Sequence, residues 1–167
     1  MSSLSLNPRL CVVGWKGEVF LDRLLKHGIQ PHEVISYRQA GDRSGSFERI
    51  SQLTHSANAP FLETHRPDIS DETPAFLVGW QYLVNSPGSA TIVFHDSLLP
   101  RYRGFAPTAT ALMNGDQTIG VTALLPGPEV DQGPIVAQAS AKIEYPMKIS
   151  DALELQATLM SELALQI

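Results

Sequence analysis

Leu10-Cys11-Val12-Val13-Gly14 opens the stretch on which the fold turns, and Val34-Ile35-Ser36-Tyr37 closes it. The first run is short, apolar and bounded by glycine, which predicts a buried strand. Val19-Phe20, Leu24-Leu25 and Ile29 then recur at roughly helical spacing, and Gly28 supplies a stop signal. The second run reads as another strand. Strand, helix and strand in this order are the unit from which parallel sheets are built.

The same rhythm continues outward. Gly41 to Ser46 is a polar turn, and Phe47, Ile50 and Leu53-Thr54 give a second helical face ending near Asn58-Ala59-Pro60. Phe61-Leu62 reads as a short strand and Pro67 to Pro74 as a loop. Ala75–Val78, ending at Gly79, and Thr91–Phe94 read as buried strands joined by a short segment. Pro107 to Gly115 predicts a helix, Ile119–Leu125 and Pro134–Ala139 predict strands, and Ser150-Asp151 reads as the N-cap of a last helix. That helix carries Ala152, Leu155, Leu159, Leu163 and Ile167 on or near one face. The expectation is an α/β domain over residues 1–167, with an open, mostly parallel twisted sheet and helices on both faces. No internal repeat and no low-complexity tract interrupts it.

Composition bounds the function. The chain has 167 residues, 43% hydrophobic and 17% charged, which suits a globular domain with a sizeable core. Seventeen acidic residues against 12 basic ones give a formal charge of −5, which argues against nucleic acid as the main partner. Cys11 is the single cysteine, so no intrachain disulfide forms, and its apolar neighbours predict a buried core thiol. Met1 to Pro8 lacks an apolar signal-peptide core and no run approaches a membrane span, so a cytoplasmic protein is expected. The histidines have no zinc spacing, so no metal is expected.

In an open parallel sheet, ligands bind beyond the carboxyl ends of strands, where strand order reverses. Four segments follow predicted strands: Gly14-Trp15-Lys16-Gly17, Gly79-Trp80-Gln81-Tyr82, His95-Asp96-Ser97, and Pro126 to Gly133. They are the candidates for one shared cleft. The densest in chemistry begins His95-Asp96-Ser97-Leu98-Leu99-Pro100-Arg101-Tyr102-Arg103-Gly104. Gly120-Val121-Thr122 and Asp131-Gln132-Gly133-Pro134-Ile135 follow, with Gln138 beyond, and His95 and Asp131 stand 36 positions apart.

This ordered set resembles the formyltransferases that use 10-formyltetrahydrofolate, strongly over about residues 75 to 140. The resemblance implies a Rossmann-like formyltransferase fold and a formyl group passed from that co-substrate to the amine of a small acceptor, with an amino sugar nucleotide as one candidate. Attack on a formyl carbon creates an oxyanion and releases an amine proton, so the site needs an oxyanion donor and a proton acceptor. His95 suits both tasks, and Asp131 orients the ring or a water and stabilises the imidazolium. By resemblance, Gly79, Trp80, Gln81, Tyr82 and Val84 line the pterin pocket, with Pro128, Glu129 and Val130 on its other side. Lys16, Ser97, Arg103 and Gly104 are the acceptor-side candidates, Lys16 because a cation at a helix N-terminus suits an anionic acceptor. Each also has an ordinary structural reading, as a surface lysine or a solvated loop. A homodimer is compatible with this reading.

One position departs from the family pattern. Asn normally stands two residues before the histidine, and Val93 stands there here. Loss of one preorganised oxyanion donor costs about 10²–10³ in rate, or ~3–4 kcal/mol. Either another donor substitutes, with Ser97, Thr122, Gln81 and backbone amides as candidates, or transfer is weak, or the reaction differs. The alternatives are therefore an altered or inactive folate-binding or regulatory domain, and a formyl hydrolase.

Overall fold

A computed structural model describes residues 7–84 and 87–167. Residues 1–6, on which part of the reading of the N-terminus rests, lie outside this range. The chain forms two compact units, the first ending at Ile92 and the second starting at Val93.

The first unit contains β1 (Arg9–Val12), α1 (Gly14–Lys26), β2 (Glu33–Ser36), α2 (Ser46–Ser56), β3 (Phe61–Glu63) and β4 (Ala75–Val78). β1 pairs in parallel with β2 and with β4, and β2 pairs in parallel with β3. The order is thus β3-β2-β1-β4. All four residues of β1 and of β4 are buried, as expected for strands covered on both faces. The crossovers β1–α1–β2 and β2–α2–β3 step in one direction, so right-handed connections set both helices on one face, where α1 and α2 pack together. Phe20, Leu21, Leu24 and Ile50 bury the apolar stripes of those helices, each contributing roughly 1.5–3 kcal/mol. After β3 the chain returns past β1 to form β4, so strand order reverses between β1 and β4.

At the amino end of β1, the buried Arg9 guanidinium forms a fork with Asp71 at 3.0 and 3.1 Å and meets Glu33 at 2.5 Å. The fork holds the Asp71 carboxyl down at about 2. Cys11 is fully buried, and desolvation pushes its thiol up to about 12.

β5 (Thr91–His95) ends in the second unit, which also contains α3 (Pro107–Met113), β6 (Thr118–Leu124), β7 (Ile135–Lys142) and α4 (Ile149–Ala164). Here the pairing is antiparallel, with His95 opposite Thr122 and Val93 opposite Leu124, and with Thr122 opposite Gln138 on the far side. The parallel expectation therefore holds in the first unit, and β6 and β7 reverse it. β6 and β7 are joined by a loop rather than by a crossover helix, so they run in opposite directions. α4 packs on β6, β7 and α3. Its N-cap is Lys148, in extended conformation, rather than the expected Ser150-Asp151 pair, whose side chains bond to each other. Pro146 precedes the helix and the chain enters it two residues earlier than the Ser-Asp signal indicates.

Candidate active site

Of the four predicted segments, those after β1 and β4 meet within the first unit, at the reversal point. Val13 N–H donates to Val78 O at 3.0 Å. Gly79 has φ +69°, and a Cβ there would lie 2.5 Å from Val13 O. Only glycine fits, because the backbone is left-handed and the neighbouring chain fills the space. Gly14 is the first residue of α1, which places Lys16 in the first helical turn. Lys16 is half-buried, and desolvation of its ammonium lowers it to about 8. Trp80 and Tyr82 pack edge-on against Tyr37 with centroids 5.0 and 5.2 Å apart. Tyr37, at the carboxyl end of β2, carries this aromatic cluster and had no signal in the sequence beyond its place after an apolar run. Gln81 is exposed, Val84 half-buried, and Leu83, which an ordinary core helix would have buried, is exposed. The buried Trp80 Nε1 has no hydrogen-bond partner among the described residues.

The segments after β5 and β6 meet within the second unit. His95 Nδ1 lies 3.3 Å from Asp131 Oδ2, and the two side chains are only 10% and 11% exposed. His95 Nε2 lies 2.9 Å from Tyr102 O. A carbonyl can only accept, so Nε2 carries the proton of that bond. Nδ1 is then the ring nitrogen that faces the carboxylate. Gly104 N–H donates to the same Asp131 Oδ2 at 2.9 Å. Asp131 itself sits at φ +55°, outside the range most side chains adopt, and the bond from Gly104 helps to hold it there.

Around this pair the motif residues hold the loop. Thr122 Oγ1 donates to Ser97 O at 2.7 Å and accepts from Leu99 N–H at 3.0 Å and from Gln138 Nε2 at 2.8 Å. Gln138 Nε2 also donates to Leu99 O at 3.0 Å. The buried Gln156 donates to Asp96 O and Gly120 O at 2.8 and 3.0 Å and accepts from Thr108 Oγ1 at 2.6 Å. Ser97 Oγ donates to Arg101 O at 2.5 Å. Ser97 and Thr122 have thus spent their hydroxyl protons within the loop and offer no proton to an oxyanion. Val93 is half-buried, and the two-residue period of a strand sets it on the same face of β5 as His95. Thr122 and Gln138 were visible as motif letters, but their role as clamps was not. Gln156 carried no signal, since a lone glutamine in an amphipathic helix reads as surface.

Pro128, Glu129 and Val130 directly precede Asp131. Val130 is 58% exposed, and Glu129 accepts a hydrogen bond from Gln132. Arg103 and Gly104 are exposed. Among the described residues no group of three or more His, Cys, Asp or Glu could hold a metal ion, and no helix is long and apolar enough to cross a membrane.

A family model described as formyl transferase matches residues 76–160. Methionyl-tRNA formyltransferase of Latilactobacillus sakei is 44% identical over 125 residues, covering 69% of this chain and 39% of that protein. The Ligilactobacillus salivarius enzyme of the same name is 47% identical over 62 residues, 37% of this chain and 20% of that protein. The chain therefore spans well under half the length of these curated relatives. Among solved structures, WlaRD, a sugar 3N-formyl transferase determined with dTDP and 5-N-formyl-THF, superposes with a TM-score of 0.74 at 17% identity, over 96% of this chain and 61% of that one. A formyltetrahydrofolate deformylase from Pseudomonas putida superposes with a TM-score of 0.71 at 18% identity, over 99% of this chain and 65% of that one. The fold is the open α/β, mostly parallel, Rossmann-like fold of these proteins, whose family uses 10-formyltetrahydrofolate as formyl donor. The chain belongs to the formyl transferase family.

Proposed function

We propose that the chain transfers a formyl group from 10-formyltetrahydrofolate to the amine of a small acceptor in the cytoplasm, with His95 and Asp131 managing the proton. The observation that carries this reading is the near-buried His95–Asp131 pair, with Nε2 fixed on a carbonyl and Nδ1 turned to the carboxylate. When the amine nitrogen bonds to the formyl carbon, one proton must leave the nitrogen. The pair can take it, becoming imidazolium and carboxylate, and return it to the departing folate nitrogen.

The residues present suit a reduced pterin. In the first unit, Gly79 leaves no side chain against Val13 O and the Tyr82 ring is 50% exposed; in the second, Val130 is 58% exposed. Lys16, Arg103 and Gly104 are acceptor-side candidates, and Ser97 acts by shaping the loop. The test is to incubate the protein with 10-formyltetrahydrofolate and a panel of amino sugars, free and nucleotide-linked. Formylated product is expected. Folate binding with no product across the panel rejects transfer.

A second reading has its own observation. Val93 presents no donor, and the nearby hydroxyls are spent. That favours a folate-binding member with slow or altered chemistry, including release of formate to water. Formate appearing without any acceptor, at the rate seen with one, supports hydrolysis over transfer.

A further inference from the structure

Gln156 stands midway along α4, the helix that packs on β6, and is 1% exposed. Burying a primary amide is unfavourable unless its hydrogen-bonding capacity is met. Here Nε2 donates to Asp96 O at 2.8 Å and to Gly120 O at 3.0 Å, and Oε1 accepts from Thr108 Oγ1 at 2.6 Å. Two carbonyls can only accept, so the amide has a single orientation, with both protons on the carbonyls and its oxygen on the hydroxyl.

These partners bracket the segment that holds the catalytic pair. Asp96 directly follows His95, and Thr108 lies in the first turn of α3. Between them, Tyr102 O receives the His95 Nε2 bond at 2.9 Å, and Gly104 N–H donates to Asp131 Oδ2 at 2.9 Å. Tyr102, Gly104 and Ala106 have left-handed backbones, with φ of 55°, 81° and 53°. Tyrosine and alanine keep such conformations only where surrounding contacts impose them. Thr122 and Gln138 grip the near end of the segment, at Ser97 and Leu99. Gln156 reaches both ends at once. A segment with both ends tied to one amide samples fewer conformations than one tied at its start.

Resting on the transfer reading above, we propose that Gln156 is a positioning residue for the reaction. By fixing both ends of the segment 97–107, it keeps the Tyr102 carbonyl on His95 and the Gly104 amide on Asp131. Reacting groups must be held within about 0.5 Å of their productive geometry, and a misplacement of about 1 Å costs about 10²-fold in rate.

Two measurements on the intact chain test this without turnover. Ring 15N–1H correlation of His95 reads which nitrogen carries the proton, and amide hydrogen exchange reads how often the Gly104–Asp131 bond opens. Gln156→Leu roughly keeps the volume and removes the bonds. Thr108→Val removes the α3 tie alone, and Thr108→Ser keeps it. Leu163→Ala, at a buried apolar position of α4, weakens the packing of that helix through lost contacts and serves as the control. Gln156→Leu should speed Gly104 exchange about tenfold or more beyond Leu163→Ala and depopulate the Nε2–H tautomer. Thr108→Val should move both in the same direction by less, and Thr108→Ser should restore the wild-type values. In steady state with 10-formyltetrahydrofolate and the acceptor found in the panel, Gln156→Leu should lower kcat about tenfold to a hundredfold, with the folate KM within about twofold. Wild-type exchange and tautomer in Gln156→Leu, or shifts no larger than those of Leu163→Ala, overturn the proposal. So does an unchanged kcat in a Gln156→Leu protein whose segment has loosened. If Gln156→Leu does not fold, the Thr108 pair decides, and equal values in Thr108→Val and Thr108→Ser overturn it. Absence of formyl transfer in wild type rejects only the transfer reading, because exchange and tautomer are read without it.

Discussion

Val93→Asn should raise the rate of formyl transfer by about 10²–10³ at unchanged folate affinity. Residues 93 and 95 share a face of β5 and lie about 7 Å apart along the strand. That separation leaves room beside His95 for a formyl oxygen about 3 Å from a hydrogen-bond donor at position 93. Val93 supplies no such donor, and the Ser97 and Thr122 hydroxyl protons are committed to Arg101 O and Ser97 O. A preorganised oxyanion donor contributes ~3–4 kcal/mol to the barrier, and each ~1.4 kcal/mol is tenfold in rate. The structural cost is small. Val93 is only half-buried opposite Leu124, and the change in strand propensity stays within about 1 kcal/mol. The assay is steady-state transfer from 10-formyltetrahydrofolate to whichever acceptor the panel identifies, with folate affinity measured separately. A folded Val93→Asn protein that binds folate normally and shows no rise in kcat would refute the reasoning. It would mean that another group already holds the oxyanion, or that the formyl group does not lie between positions 93 and 95.

Thr122→Val keeps the shape of a fully buried side chain but strips three hydrogen bonds from the turn after His95. It should cost about 2–3 kcal/mol in chemical denaturation and lower kcat, and a change below about 0.5 kcal/mol would show that the clamp is dispensable. Asp71→Asn tests the Arg9 fork through pH. The carboxyl drops from 3.8 to about 2 on folding, so its contribution is complete above about pH 4 and fades as pH falls toward 2. The variant should be less stable than wild type at pH 6, and the two denaturation midpoints should converge near pH 2. A constant difference across that window would assign the effect to something other than this ionisation.

The strand-helix rhythm of residues 10–37 was legible because each element is local. A strand buried on both faces needs an unbroken apolar run, and α1 needs its stripe at helical spacing, whatever the rest of the chain does. The ordered motif from His95 to Gln138 was legible for a different reason, since the chemistry fixes residue types at given intervals. Tertiary structure alone decided which groups those intervals join. Thr122 and Gln138 turned out to brace the loop, Tyr37 to support Trp80 and Tyr82, and Gln156 to reach Asp96 from a distant helix. Each of these contacts couples residues many positions apart, and hydrogen-bond geometry over such separations is set by how strands and helices pack. The antiparallel run of β5, β6 and β7 was likewise undecided by pattern, because a buried strand looks the same in either direction. The sequence alone determined that a histidine, a carboxylate and a valine in place of a donor are present; packing decided that the first two touch and that nearby hydroxyls cannot make good the third.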